Sequence, residues 1–174
     1  MTFSGRMTVV ETAASELERH KDMQGLPSGI PFERMSSEVW DTLEKEYPGG
    51  WPEWFKSLTI EQRFCGAHFF LSVDPYEPLG DGVCIFWRPS EWLEEAITYP
   101  ESFKKLFEIG FVPFANGEDG NRWVFRADGG DDPQVFFVAV GLWLQGDVLD
   151  ADNGLLPANK SMSEFLGYGV TWKD

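Results

Sequence analysis

Between Phe111 and Val140 this 174-residue chain runs three short apolar segments together, joined by turns with no room for a helix. Phe111-Val112-Pro113-Phe114-Ala115 comes first. Asn116 to Asn121 follows, a Gly/Asn turn in which positive φ is cheap. Arg122 to Arg126 then alternates, with Trp123 and Phe125 on one face and Arg122 and Arg126 on the other. Asp128 to Pro133 forms a second turn before the continuous run Val135 to Val140. Turns this short connect antiparallel neighbours, because a parallel pair needs a crossover of at least a dozen residues.

Two further strands are expected upstream, Phe69 to Val73 and Val83 to Trp87. The loop between them carries Asp74, Pro75, Pro78, Gly80 and Gly82. Helices are expected before and between these strands. Val9 to Asp22 consists of good helix formers. Ser37 to Glu46 carries Val39, Trp40 and Leu43 as its apolar stripe and stops before Pro48-Gly49-Gly50. A short helical turn runs from Glu53 to Leu58, and Thr59 to Gln62 has capping-box spacing. Ser90 reads as the cap of a helix that turns Trp92, Leu93, Ala96 and Ile97 inward, continued by Phe103 to Phe107 until Gly110. Gly146 to Lys160 reads as a long loop. Ser161 and Glu164 form another capping box, ahead of a short helix anchored by Phe165 and Leu166. The expected class is α+β, a central and mainly antiparallel sheet with helices packed on one side. The Gly/Pro stretch from Gly25 to Pro31 divides residues 1–31, a helical arm and linker, from a single domain over 32–174.

Charge narrows the function classes. Acidic residues number 29 against 14 basic ones, a net charge of −15. Such a field repels nucleic-acid phosphates and anionic membranes and attracts basic proteins. Two cysteines do not make a disulfide framework, and Met1 to Val10 has no apolar core of a signal peptide, so a reducing cytoplasm is expected.

Catalytic and metal motifs are weak. Cys65-Gly66-Ala67-His68 has metal-pair spacing, but a zinc site needs a second pair and only Cys84 remains to help. The same residues fit a strand entry with a buried thiol. Asp150-Ala151-Asp152-Asn153-Gly154 departs from a calcium loop, with its glycine too early and Ser161 at the twelfth position. Phosphate-binding glycine motifs are incomplete. Adjacent Glu94 and Glu95 point in different directions from a helix. No catalytic residue, metal or cofactor is expected.

The stronger signal is a distribution. Between Ala127 and Asp152 lie six aspartates and no Lys or Arg. Asp74, Glu77 and Asp81 form another base-free loop, and Glu118 and Asp119 tip a third. Turn chemistry explains aspartates but not missing bases. If these turns share one edge of the sheet, they form an acidic rim. The residues expected to meet a partner are Asp74, Glu77, Asp81, Glu118, Asp119, Asp128, Asp131 and Asp132, with Trp123 as an aromatic anchor if exposed, and Trp87 and Trp143 on the same condition.

The order of apolar segment ending in Pro113-Phe114-Ala115, acidic turn, aromatic strand, Pro133-Gln134-Val135 entry and Ser161 to Leu166 helix resembles the SUKH superfamily. That superfamily contains the yeast cell-wall regulator Smi/Knr and many bacterial immunity proteins. The resemblance covers about Val83 to Gly167, and Val9 to Asp22 has no counterpart in it. It implies an α+β fold without catalytic residues or cofactor. It also implies a partner: a basic toxin, often a nuclease or deaminase, bound and neutralised by protein contact. The alternative it leaves is a scaffold or regulatory interaction module of the Smi/Knr type.

Overall fold

The computed structural model describes residues 9–24, 32–63, 65–66, 68–71, 82–117, 120–139 and 154–171. Helices α1 (Val9–Gln24), α2 (Ser37–Glu46) and α3 (Glu53–Glu61) precede strands β1 (His68–Leu71) and β2 (Gly82–Phe86). A helical connection follows, made of α4 (Pro89–Leu93), a π-helical turn (Glu94–Thr98) and α5 (Pro100–Glu108). Strands β3 (Phe111–Asn116), β4 (Arg122–Arg126), β5 (Gln134–Val138) and β6 (Leu155–Ser161) lead to α6 (Met162–Thr171). The six strands form one sheet in chain order, every neighbouring pair antiparallel. The fold is α+β with a central antiparallel sheet.

Strand β6 is the element that the sequence reading misses, because Pro157, Asn159 and Lys160 break any apolar pattern. Proline is tolerated on edge strands and at bulges, and both conditions hold. β6 closes the sheet, and its pairing with β5 shifts register between Gln134 and Phe136, where Pro157 sits opposite Phe136. Pro113 likewise stands at a register shift between β3 and β4.

One sheet face carries Phe86, Val112, Ala115, Trp123, Phe125, Val135 and Phe137, all in the main core. Helix α6 lays Phe165 on Trp123 and Phe114, with ring centroids 5.0 and 5.7 Å apart. Helix α3 reaches the same face through Phe55 and Trp54, 4.9 and 5.3 Å from Phe125. On the alternate face Phe111, Val124 and Val138 form a smaller cluster that α5 closes with Leu106. Most helical packing thus gathers on one side, and α5 adds cover to the other.

Helix α1 is less separate than the Gly/Pro stretch implies. Val10 and Ala14 are buried in the main core, and α1 lies against α6. Local signals near the other helices also need correction. The cap of α2 is Ser36, whose Oγ accepts from Val39 N–H. Arg88, not Ser90, precedes α4, and its backbone N–H donates to Glu91 Oε2 at 2.7 Å while Pro89 fills the first helical position. The π-helical turn buries Ala96 and leaves Ile97 42% exposed, so the expected inward stripe holds for Trp92 and fails for Ile97. The Ser161/Glu164 box is present: Ser161 N–H donates to Glu164 Oε2 at 3.0 Å, and Glu164 N–H to Ser161 Oγ at 3.5 Å. No helix among the described residues is long and apolar enough to cross a membrane.

Thr59 caps nothing. It lies inside α3 and is 1% exposed. Its hydroxyl accepts from Trp40 Nε1–H at 2.9 Å and donates to the Lys56 carbonyl at 3.0 Å, joining α3 to α2 through the core. A buried donor left without its acceptor costs about 1–3 kcal/mol. Thr59→Val is expected to lower unfolding stability by about that much, and Thr59→Ser, which keeps the hydroxyl, by less. Urea titration of the two variants measures the difference, and equal midpoints would show that the Trp40 bond contributes nothing.

Candidate functional site

Register, more than sequence distance, decides which acidic turns are neighbours. Ile85 pairs with Asn116, Asn116 with Arg122, Arg122 with Val138, and Val138 with Leu155. These five residues form one row across β2 to β6, about 19 Å wide at about 4.8 Å per strand. The connections 117–121 and 139–154 leave the sheet from this row. The pair Leu71 and Gly82, which closes β1 on β2, lies three residues beyond Ile85 at the same end. Segments 72–81, 117–121 and 139–154 contain eight acidic residues and no Lys or Arg. The described strand ends that flank these three segments therefore lie at one end of the sheet, while Asp74, Glu77, Asp81, Glu118, Asp119, Asp147, Asp150 and Asp152 themselves lie outside the described residues.

Turn 127–133 leaves the other end. Its residues Asp128, Asp131 and Asp132 are exposed, but β4 separates them from the first group by about 14 Å, at about 3.4 Å per residue. That exceeds the roughly 8 Å over which physiological salt screens charge. The single rim expected from the sequence is thus divided between two ends. Two of the three aspartates also have local work. Asp128 accepts two hydrogen bonds from Arg126, at 2.8 and 3.1 Å. That contact holds the Asp128 carboxyl below, and the Arg126 guanidinium above, their ordinary ranges. Asp132 accepts from Ser163 N–H at 2.8 Å and Ser163 Oγ–H at 2.7 Å, tying the turn to the N-terminus of α6. Here a carboxylate satisfies an orphan helix donor and complements the dipole.

The aromatic anchors need correction. Trp123 and Trp87 are each 1% exposed. Trp123 packs on Phe137 and Phe165, and Trp87 on Trp92 and Phe103. The alternation that put Trp123 opposite Arg122 was right, but it directs the indole into the core. Trp143 lies outside the described residues.

The residue that organises the acidic end is Arg122, which charge counting overlooks. Its guanidinium meets Glu95 Oε2 at 2.8 Å, and both side chains are mostly buried. It also donates to the carbonyls of Gly120 and Asn121, at 2.6 and 3.3 Å, and lies 5.7 Å from the Trp87 ring centroid. One base thereby ties Gly120 and Asn121, just before β4, to the π-helical turn. Gly117 completes the closure, donating to the Asn121 carbonyl at 2.9 Å. A Cβ there would come within 2.9 Å of the Phe137 ring, so only glycine fits without movement. Arg122→Gln removes the ion pair and the guanidinium bonds to the turn carbonyls. The expected results are a lower melting temperature and faster hydrogen exchange at Gly117 N–H than in the unaltered protein.

Cys65, the one candidate nucleophile with a described side chain, is poorly suited to that role. It sits in an isolated bridge with Glu33 and is 1% exposed. Burial, with a smaller contribution from the Glu33 charge, pushes its thiol up to about 12. A thiol is the weak form of the nucleophile. The side chains of His68 and Cys84 lie outside the described residues. Among the described residues no group of three His, Cys, Asp or Glu side chains could hold a metal. In a Cys84→Ser background, Cys65 is expected to resist a disulfide reagent at pH 8 until denaturant is added. Its folded-state value lies above the ordinary thiol value of 9.0, so its contribution to stability is complete below about 9 and lost as pH rises towards about 12. Cys65→Ala should flatten that alkaline decline.

Comparison with family models, with curated proteins and with solved structures finds no match for this chain.

Proposed function

We propose that this chain is a non-enzymatic immunity protein of the SUKH type, which binds a basic, nucleic-acid-targeting bacterial toxin and blocks it by contact. The observation that carries the reading is the convergence of three base-free acidic connections on one end of the sheet. A toxin that acts on nucleic acid needs a cationic cleft, and a partner with clustered carboxylates competes for it. Charge of this kind chiefly accelerates encounter, towards 10⁸–10⁹ M⁻¹s⁻¹ at low salt in the best cases. The resemblance from Pro113-Phe114-Ala115 through the Ser161 to Leu166 helix supports the same partner class. The protein works in the cytoplasm under this reading, where an incoming toxin meets its target.

The test is co-expression and binding with cationic nuclease or deaminase toxin domains. Growth rescue and a tight complex are expected, with an association rate that falls steeply as salt rises. Replacing Glu118 and Asp119 with lysine should lower that rate about tenfold or more while dissociation changes little. Failure to bind any such toxin, or equal rates for the double variant across the salt series, would refute the reading.

A further inference from the structure

Away from the acidic connections, α2 and α5 both end at one open depression of about 340 Å³. Its lining brings together features that none of the signals above explains. Glu46 is the last residue of α2 and Glu108 the last of α5. Helix C-termini carry partial negative charge and favour cations, so a terminal glutamate adds like charge to like. Both helices place this unfavourable residue at the same cavity. Local choices that oppose stability without an evident structural gain mark sites kept for another reason.

The rest of the lining suits the stem and plane of a long cationic side chain. Tyr47 and Phe107 supply aromatic surface, with ring centroids 5.2 Å apart, and Pro48 and Pro100 supply apolar walls. Both rings are held in place. Tyr47 O–H donates to the Ala96 carbonyl at 2.6 Å. Phe107 lies over Gly50, where a Cβ would come within 2.3 Å of the ring. The negative potential is felt inside: burial first, then the Glu46 and Glu108 charges, raise the Tyr47 phenol above its ordinary range.

The one cation in the lining, Lys104, does not neutralise the site firmly. Its ammonium is 4.0 Å from Glu108, and both side chains are more than half exposed. The order Lys then Glu at four residues' spacing is also the weaker one on a helix. An exposed pair of this kind contributes little and exchanges readily. The surroundings favour a ligand delivered by a protein surface. Ile97 and Tyr99 stand exposed just before α5, and Ile109 just after it. They do not line the depression, but Tyr99 and Ile109 adjoin its lining residues Pro100 and Glu108 in the chain, and exposed apolar residues beside a polar rim suit protein contact.

We infer that this depression is a receptor for an arginine side chain presented by a protein partner, with Glu46 and Glu108 meeting the guanidinium and Tyr47, Phe107, Pro48 and Pro100 holding its stem. Arginine fits better than lysine, because its planar fork can meet carboxylates and stack on rings together. The inference rests on the reading above only for the partner being basic.

The experiment is an amide-resolved NMR titration of the full chain with the blocked peptide Gly-Arg-Gly, and with its uncharged citrulline analogue. The arginine peptide should shift the Tyr47, Phe107 and Glu108 amides saturably, and the citrulline peptide should not. Glu46→Gln with Glu108→Gln should weaken binding about tenfold, and Lys104→Ala should strengthen it severalfold by removing the resident cation. These three side chains project at the surface, and the amide spectrum itself reports that each variant is folded. Absence of saturable shifts at these amides, equal shifts with citrulline, or a double variant that binds unchanged would each overturn the inference. The Glu118 and Asp119 lysine variant should bind the peptide normally. Peptide binding without toxin binding would defeat the functional reading alone, and toxin binding without peptide binding would defeat this inference alone.

Discussion

The whole arrangement depends on aromatic packing that joins the helices to one strand. Trp40 meets Trp51, Phe55 and Trp92 at ring-centroid distances of 5.0, 6.3 and 6.3 Å. Phe55 continues the chain of rings to Phe125 on β4. Edge-on and tilted pairs of this kind add about 0.5–1.5 kcal/mol each beyond the burial of their area. The rings come from α2, α3, α4 and the loop before α3, so these three helices pack as one unit. The Thr59 hydroxyl satisfies the Trp40 indole inside this layer. Trp51, Trp54 and Trp87 have buried indole N–H groups without a partner among the described residues, a sign that ring shape outranked polar satisfaction here.

That packed layer leaves the charge to the periphery. The strand ends that flank the acidic connections lie at one end of the sheet, and Arg122 holds Gly120 and Asn121 there. Asp128 and Asp132, at the other end, serve Arg126 and the start of α6. The depression between α2 and α5 is a third region, where two helix ends bring glutamates together over held rings. A carboxylate in this protein therefore takes its role from position. The same residue type closes a turn, caps a helix or lines a cavity.

Much of this was legible in the chain. The apolar runs and short turns from Phe111 to Val138 gave β3, β4 and β5 with their antiparallel order, since period-two alternation and turn chemistry are local properties. The Ser161/Glu164 box was legible for the same reason. β6 was hidden because an edge strand at a bulge tolerates Pro157 and polar residues, and so shows no alternation. Thr59 was misread because capping-box spacing also occurs inside a helix, where a distant indole claimed the hydroxyl. Trp123 was placed on the correct face, but whether that face met solvent or α6 was not a local matter.

The sequence by itself determined that the strands run antiparallel, that the chain is strongly acidic and that four of its connections lack bases, because these follow from periodicity, turn length and composition. Only the tertiary structure decided which acidic loops are neighbours, since strand direction sends successive turns to opposite ends of a sheet. It also decided that Trp87 and Trp123 are core and that Glu46 and Glu108, sixty-two positions apart, face one cavity. Proximity between distant residues arises from packing, and no local pattern encodes it.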